Sequence, residues 1–203
     1  GKSHNHNDVG NFIVFANGEP AIIDVGVGTY TAKTFSSQRY EIWTMQSAYH
    51  NCPTIDGVMQ SPGRKYAASD VVYRQDDAGA ELRMNLAHAY PEAAKVESWR
   101  RAIRLDRLAN RVAISDEFSL AGPVGEITLT LMVPSRVQAE TGALRFENGV
   151  RIAYDASLSP EVEEITLDDA RLSGVWGPRI YRILLRAVNP ARSGKWITTI
   201  TQT

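Results

Sequence analysis

Short β-rich runs separated by turn signals constrain the fold of this chain more than any other feature of its sequence. Residues 12–15 and 20–25 are rich in apolar side chains, and Asn17-Gly18 between them is a strong signal for a two-residue hairpin turn. Similar runs follow at residues 70–74, 126–133, 143–154, 181–188 and 195–202. Turn signals that recur about every 8–12 residues are typical of a sandwich or barrel. We therefore predict an all-β fold of two packed antiparallel sheets with little helix, forming one domain over residues 1–203.

Two segments could be taken for helices. Residues 95–120 contain several arginines, but apolar and polar side chains alternate there, so we predict two strands joined by a turn at residues 108–110. Residues 36–48 are the best helix candidate, because Tyr40 and Trp43 follow helical spacing, and a long loop is the alternative for this segment.

The composition allows a sizeable core and has no overall basic character. The chain has 203 residues, of which 43% are hydrophobic, with 22 Lys and Arg against 23 Asp and Glu. That balance does not favour nucleic acid or a membrane surface as a partner. There is no run of about 18 apolar residues, so no membrane span is predicted. Cys52 has no partner for a disulfide, and because Gly1 stands where a natural chain has methionine, we expect a piece of a longer protein.

The stretch SHNHNDVGNF, residues 3–12, concentrates polar side chains just before the first strand. If it is extended, His4 and His6 project from the same face, because side chains two apart in a strand point the same way. A His-x-His pair is typical of zinc ligands, and Asp24 and His50 are the natural additional ligands. The alternatives are that the histidines lie on the surface or make structural hydrogen bonds, and that Asp24 caps backbone amides.

The metal hypothesis requires the chain to bend before the first strand. A two-residue turn in the hairpin would place Asp24 opposite Asn11 and not opposite His6. In a straight strand, His6 would lie about 16 Å from Asn11, at about 3.3 Å per residue, which is too far for a shared metal. Gly10 is the predicted position of the bend, because glycine accepts bulge geometries.

The motif-rich residues 3–31 and 40–60 closely resemble the heparinase II/III-like family of polysaccharide lyases, which includes heparinases and oligo-alginate lyases. The strand-rich remainder agrees with the C-terminal β-sandwich of that family. The resemblance implies that an N-terminal α/α toroid of helices pairs with the sandwich, and that the active site lies in the cleft between them. Carried over residue by residue, it also implies a structural zinc ion bound by His6, Asp24 and His50.

The resemblance further implies catalytic residues, a substrate and a location. His4 would face the substrate, and Tyr40 is the best match to a tyrosine that lines the cleft. A uronic acid lyase removes the proton at C5 and expels the oxygen on C4, so it needs a base, an acid and neutralisation of the carboxylate. A neutral imidazole can act as the base or as a hydrogen-bond donor. The implied substrate is an acidic polysaccharide or oligosaccharide, either a glycosaminoglycan or alginate, and the implied location is the periplasm or the cell exterior.

Two other functions stay open on the sequence alone. One is a non-catalytic module that binds an acidic glycan or acts as a scaffold; the other is a zinc hydrolase, for which Asp8 is the only acid in the motif. In the lyase interpretation the chain lacks the helical domain, so we expect little or no activity from it alone. The surface that docks this domain would be exposed and could support a homo-oligomer. Its candidate residues are Trp43, Tyr49, Met59 and Tyr66.

Overall fold

A computed structural model describes residues 5–202, and antiparallel strands dominate this part of the chain. The strands are β1 (Val14–Ala16), β2 (Glu19–Ile22), β3 (Pro53–Ile55), β4 (Ser69–Gln75), β5 (Gly79–Asn85), β6 (Val96–Asp106), β7 (Arg111–Leu120), β8 (Glu126–Val133), β9 (Val137–Glu140), β10 (Ala143–Phe146), β11 (Val150–Ala153), β12 (Ser159–Thr166), β13 (Arg179–Val188) and β14 (Ser193–Gln202). The helical segments are α1 (Ala170–Trp176) and the 3₁₀ turns Ala32–Phe35, Arg39–Glu41, Trp43–Met45, Ser47–Tyr49, Ala87–Ala89 and Glu92–Ala94. The predicted all-β fold with little helix is confirmed.

The strands of residues 5–202 form two stacked sheets and a separate hairpin. The larger sheet has eight strands in the order β4-β5-β6-β7-β14-β11-β10-β9, and the smaller has four in the order β12-β13-β8-β3. All neighbouring strands are antiparallel. The hairpin of β1 and β2 turns at Asn17 and Gly18, whose φ values of 51° and 81° suit the predicted two-residue turn.

One hydrophobic core fills the space between the two sheets. Trp99, Phe118 and Trp196 of the large sheet pack on one another, with ring centroids 5.4 Å and 4.7 Å apart. Leu129 and Ile183 of the small sheet belong to the same buried cluster. The inner faces of both sheets therefore interdigitate as in other β-sandwiches.

The central strand β8 is covered on both faces, and this positions the candidate site. Residues 127–133 are all buried. On the face away from the main core, Met132 and Ile180 pack with Leu172 of α1 and with Ile23. The Ile23 N–H also donates to the Met132 carbonyl oxygen over 2.9 Å. The segment that follows β2 thus forms an additional layer on the small sheet.

Residues 36–48 do not form the candidate helix, and the alternative of a long loop is closer to the structure. The chain instead makes consecutive 3₁₀ turns of three residues, and each is ended by an extended residue, at Ile42, Gln46 and His50. Short 3₁₀ turns are common connectors. Here they let the segment follow the sheet surface and return as β3.

The four residues predicted to form an exposed docking patch are only partly exposed. Tyr49 packs edge-on against Trp43, with centroids 5.1 Å apart, and the Arg182 guanidinium lies 4.1 Å from the Tyr49 ring centroid. The most exposed large apolar side chains near the motif are instead Phe15 and Phe35, at 60% each. In the described part of the chain, no helix has the length and apolar character needed to cross a membrane.

Candidate functional site

A tight turn brings the histidine motif back towards the hairpin. The Asn11 N–H donates to the Asp8 carbonyl oxygen over 2.9 Å, and Gly10 has a φ of 84°. A positive φ at the third residue of a four-residue turn is typical of type II and favours glycine. A Cβ at Gly10 would also lie 2.8 Å from the Leu86 side chain. The predicted bend at Gly10 is therefore present, and it carries His6 to the end of β2.

Side chains from later segments hold the backbone of the motif. The Gln60 side chain makes two hydrogen bonds to the Val9 backbone. Its amide nitrogen donates to the Val9 carbonyl oxygen and its Oε1 accepts the Val9 N–H, both over 2.8 Å. The buried guanidinium of Arg39 donates to the Asn5 carbonyl oxygen over 2.9 Å. The predicted catalytic residue His4 lies outside the described residues.

His6, Asp24 and His50 converge although they belong to three separate segments. One potential ligand atom from each lies within 4.8 Å of the others. His50 Nδ1 is 3.3 Å from Asp24 Oδ2, and the two imidazole centroids are 5.3 Å apart. His50 is fully buried, and its Nε2 lies 3.1 Å from the Thr44 carbonyl oxygen. A carbonyl oxygen can only accept, so Nε2 donates to it, and in the neutral imidazole Nδ1 then presents its lone pair to the cluster.

The donor set fits a divalent cation. Two imidazoles and a carboxylate are ligands that zinc accepts, and the hydrogen bond to Thr44 is the kind of outer contact that orients a metal-binding imidazole. The buried His50 Nδ1 has no hydrogen-bond partner among residues 5–202, which a bound ion would supply. Asp24 is oriented as well, because it accepts the Asn11 side-chain N–H over 2.8 Å and the Gly26 N–H over 2.7 Å. Asp24 thus also caps a backbone amide, which was the alternative role predicted for it from the sequence.

The electrostatic environment favours the protonation states that metal ligands require. Burial and the neighbouring His50 lower the pKa of His6 below its ordinary value of 6.5. Burial alone would raise the pKa of Asp24, but His50 and the Gly26 N–H outweigh it and leave this pKa below 3.8. Burial raises the pKa of the nearby Asp8. At neutral pH, Asp24 is therefore ionised and His6 is neutral.

Asn51 is a site residue whose role the sequence reasoning missed. Its side chain is buried and donates to the carbonyl oxygens of Phe12 and Ile23 over 2.7 Å and 2.9 Å, and its Oδ1 accepts the Met132 N–H over 2.7 Å. Its backbone N–H donates to the Asn11 side chain over 3.0 Å. Asn51 therefore joins both arms of the hairpin to β8 beside the candidate ligands. The one sequence signal is its position directly after a candidate ligand.

A cavity of about 540 Å³ opens beside the candidate ligands. Its polar and aromatic lining includes His6, Asp8, Tyr40, Arg64 and Tyr66. The predicted catalytic residue Tyr40 thus shares a cavity with a candidate metal ligand. Arg64 is a further residue at this cavity that sequence reasoning did not single out.

These features define a class of protein: a β-sandwich domain in which a preformed cluster of two histidines and a carboxylate borders a cavity. The sequence model of the family described as "Heparinase II/III-like, C-terminal" matches residues 1–175. The chain belongs to this family, and the resemblance seen in its motifs is confirmed. A comparison with curated proteins gives no match.

Solved structures similar to this chain have the same fold. They include a heparinase III, the BT4657 gene product (TM-score 0.72, 16% identity, 98% of this chain and 30% of that chain). The heparan sulfate lyase HepC from Pedobacter heparinus gives a TM-score of 0.72 at 13% identity, over 97% of this chain and 30% of that chain. A further heparinase III gives 0.70 at 17% identity, over 100% and 31%. The chain therefore spans less than a third of the length of these relatives.

Proposed function

We propose that this chain is the C-terminal domain of a polysaccharide lyase that cleaves uronic-acid-containing polysaccharides by β-elimination. The observation that carries the proposal is the convergence of His6, Asp24 and His50 beside a cavity, in a domain of the heparinase II/III-like family. The substrate in this proposal is an acidic glycan, either a glycosaminoglycan or alginate. The proposed location is the periplasm or the cell exterior, which cell fractionation would test.

We assign His6, Asp24 and His50 Nδ1 as the ligands of a structural zinc ion. The ion would tie the histidine motif, the end of β2 and the segment before β3 into one rigid unit. Rigid support of this kind keeps neighbouring reactive groups within the narrow range of positions that catalysis needs.

In the proposed reaction, residues next to the metal ligands act on the sugar. Removal of the C5 proton places negative charge on the adjacent carboxylate, and departure of the oxygen on C4 completes the elimination. His4 acts as the base or as a hydrogen-bond donor, and Tyr40 supplies a hydroxyl at the cavity that His6 also lines. Arg39 fixes the carbonyl oxygen of Asn5, the residue that follows His4 in the sequence. The remaining catalytic groups come from an N-terminal helical toroid domain of the same protein.

The test combines metal content with detection of the unsaturated uronate product by its ultraviolet absorbance. We expect one zinc ion per chain in the wild type and in a His88→Ala control, which changes an exposed histidine outside the cluster. His50→Ala loses the ion. When this domain is joined to its helical domain, we expect unsaturated product from heparan sulfate or alginate. The 203-residue chain alone gives little or none.

Each competing function has its own outcome in the same experiment. Binding of acidic glycans without any product supports a non-catalytic module. New reducing ends without an unsaturated bond support a zinc hydrolase, with Asp8 at the cavity as its candidate base. Robust product formation by residues 1–203 alone would refute the two-domain part of the proposal.

A further inference from the structure

Tyr66 lines two neighbouring cavities that differ in their charged residues. The first, beside the candidate metal ligands, contains Arg64. The second has a volume of about 550 Å³ and is lined by Lys65, Glu92 and Glu97, among others. Lys65 in the second cavity is therefore accompanied by two carboxylates, whereas Arg64 shares the first cavity, where we place the substrate, with Asp8.

Arg64 is a cation without a partner in residues 5–202. Its side chain is exposed, and neither a hydrogen bond nor an ion pair commits it to another described residue. The arginines of β13 differ, because Arg182 and Arg186 face glutamates at 2.6 Å and 2.7 Å. Lys65 differs as well, because its Nζ stands 4.8 Å from the Tyr66 ring centroid. Arg64 is thus free to meet an anion from outside the chain.

The concavity on the outer face of the large sheet does not offer an equivalent site. It has a volume of about 440 Å³ and contains Arg83, Arg100 and Lys195. Arg83 pairs with Glu81 at 2.5 Å, and the other two cations flank Glu117 in the strand register. Asp70, Glu81 and Glu117 line the same concavity, so its cations stand among carboxylates and it does not favour an acidic ligand.

We propose that Arg64 is the residue of this domain that binds the carboxylate or sulfate of an anionic sugar, with the Tyr66 ring packed against the sugar. The proposal rests on the proposed function, since it assigns a substrate contact at the same cavity. A guanidinium suits this role because it donates two parallel N–H groups to a carboxylate or sulfate. An aromatic side chain with a polar tip provides the apolar surface that a sugar ring can cover.

Titration of the zinc-supplemented 203-residue chain with defined tetrasaccharides tests this assignment. The probes are tetramannuronate, which carries carboxylates only, a sulfated heparan sulfate tetrasaccharide, and neutral cellotetraose. We expect both anionic probes to bind more tightly than the neutral one, and to bind more weakly as salt rises. The preference between the two anionic probes distinguishes a carboxylate contact from a sulfate contact.

Variants in the two cavities that Tyr66 lines provide the matched comparison. Arg64→Ala weakens binding of an anionic probe about tenfold, the loss expected for a charge-assisted hydrogen bond. Arg64→Lys recovers part of it, because it keeps the charge but loses the paired donors. Lys65→Ala, an equal loss of charge one residue away, changes affinity by no more than about twofold. Urea unfolding verifies that the variants remain folded.

Several outcomes overturn the assignment. They are equal affinity for cellotetraose, no binding of either anionic probe by the wild type, unchanged affinity in Arg64→Ala, or an equal loss in Lys65→Ala. The lyase assay separates this failure from failure of the proposed function. Arg64-dependent binding without unsaturated product from the two-domain protein leaves the anion site standing and refutes the lyase. Unsaturated product formed with an unchanged kcat/KM in Arg64→Ala supports the lyase and refutes the anion site.

Discussion

Within residues 5–202, a fully buried cluster and a partly buried cluster of ionisable side chains differ in how fully their polar atoms are satisfied. In the first, Asp116 accepts hydrogen bonds from Trp99 Nε1 over 2.7 Å and from Arg101 over 2.8 Å and 3.0 Å. The Nη1 atom of Arg101 donates to the carbonyl oxygens of Gly10 and Asn51, over 3.0 Å and 2.6 Å. The second cluster, made of the candidate metal ligands, leaves a buried imidazole nitrogen without a hydrogen bond.

This difference separates a structural cluster from a site. A buried charge pair whose donors and acceptors are all engaged has nothing left for a ligand, whereas convergent lone pairs without donors are costly unless something binds them. The two clusters also cooperate. Arg101 fixes the carbonyls of Gly10, which lies in the histidine motif, and of Asn51, which directly follows His50. The pair of Arg101 and Asp116, the saturated cluster, therefore supports the geometry of the candidate metal ligands, which form the unsaturated cluster.

Breaking the saturated cluster has the largest expected effect. Asp116→Ala leaves the Arg101 guanidinium buried without its counter-charge, and we expect a loss of about 3–5 kcal/mol in the free energy of unfolding. The measurement is urea denaturation followed by tryptophan fluorescence. The control is Glu164→Ala, which removes an exposed carboxylate that faces Arg136 and Arg179, and it costs less than about 1 kcal/mol. Equal losses in the two variants would show that the buried and the exposed carboxylate contribute alike to stability.

The second prediction concerns stabilisation by zinc, which only the unsaturated cluster provides. Zinc at about a hundredfold excess over its Kd raises the free energy of unfolding by about 3 kcal/mol, because the folded state binds it and the unfolded state does not. Asp24→Asn abolishes most of this gain, whereas Glu164→Ala retains it. Thermal unfolding with zinc or with a chelator measures the difference. A zinc-induced gain that persists in Asp24→Asn would exclude this residue as a ligand.

The strands with regular patterns could be predicted from sequence, and the short or irregular elements could not. β6 and β7 are recognisable because apolar and polar residues alternate over 11 and 10 positions. β8 is recognisable as a continuous apolar run that is buried on both faces. The helix α1 was missed although Asp169 accepts the N–H groups of Arg171 and Leu172 at its start. With seven residues it is too short for a helical period to be visible. β12 was missed because it is an acidic edge strand, and its mostly exposed residues show little of the apolar pattern that marks a strand.

The ligand set of the candidate site could be predicted because its three residues stand in recognisable motifs. The supporting residues could not, because their role depends on contacts between distant segments. Arg101 reaches a carbonyl 91 positions away, and Asn51 reaches Met132 across 81 positions. Nothing local in the sequence signals such contacts. Arg64 is similar, since its importance comes from the cavity that it faces and not from its neighbours in the chain.

The third prediction tests the turn that connects the two clusters. Gly10→Ala places a Cβ 2.8 Å from Leu86 at a φ of 84°, so it suffers both a clash and an unfavourable backbone conformation. Gly18→Ala is the matched control, because Gly18 has nearly the same φ, 81°, but no atom within 4 Å of an added Cβ. We expect a loss of about 3 kcal/mol for Gly10→Ala and of about 1 kcal/mol for Gly18→Ala, measured by urea denaturation. Gly10→Ala also weakens zinc binding, whereas equal affinities in the two variants would show that the turn does not position His6.

The smallest expected effect is a pH dependence that belongs to the unsaturated cluster alone. The pKa of His6 is lower in the folded chain than its ordinary value of 6.5, mainly because of burial. Below about pH 6.5 the unfolded state therefore takes up a proton before the folded state does, and the free energy of unfolding of the metal-free chain falls as the pH falls. Asp24, whose pKa is also lowered, adds a further loss only below its ordinary value of 3.8. Asp8, whose pKa is raised, acts in the opposite direction.

His6→Gln should flatten this dependence at mildly acidic pH, and His88→Gln, at an exposed histidine, should leave it unchanged. The measurement is the urea midpoint of the metal-free chain between about pH 7 and pH 5, the range in which histidine titrates. Arg101 contributes nothing there, because a guanidinium stays protonated. Zinc makes the dependence steeper, since protons compete with the ion for the same nitrogen atoms. An unchanged slope in the metal-free His6→Gln chain would show that another group produces the pH dependence.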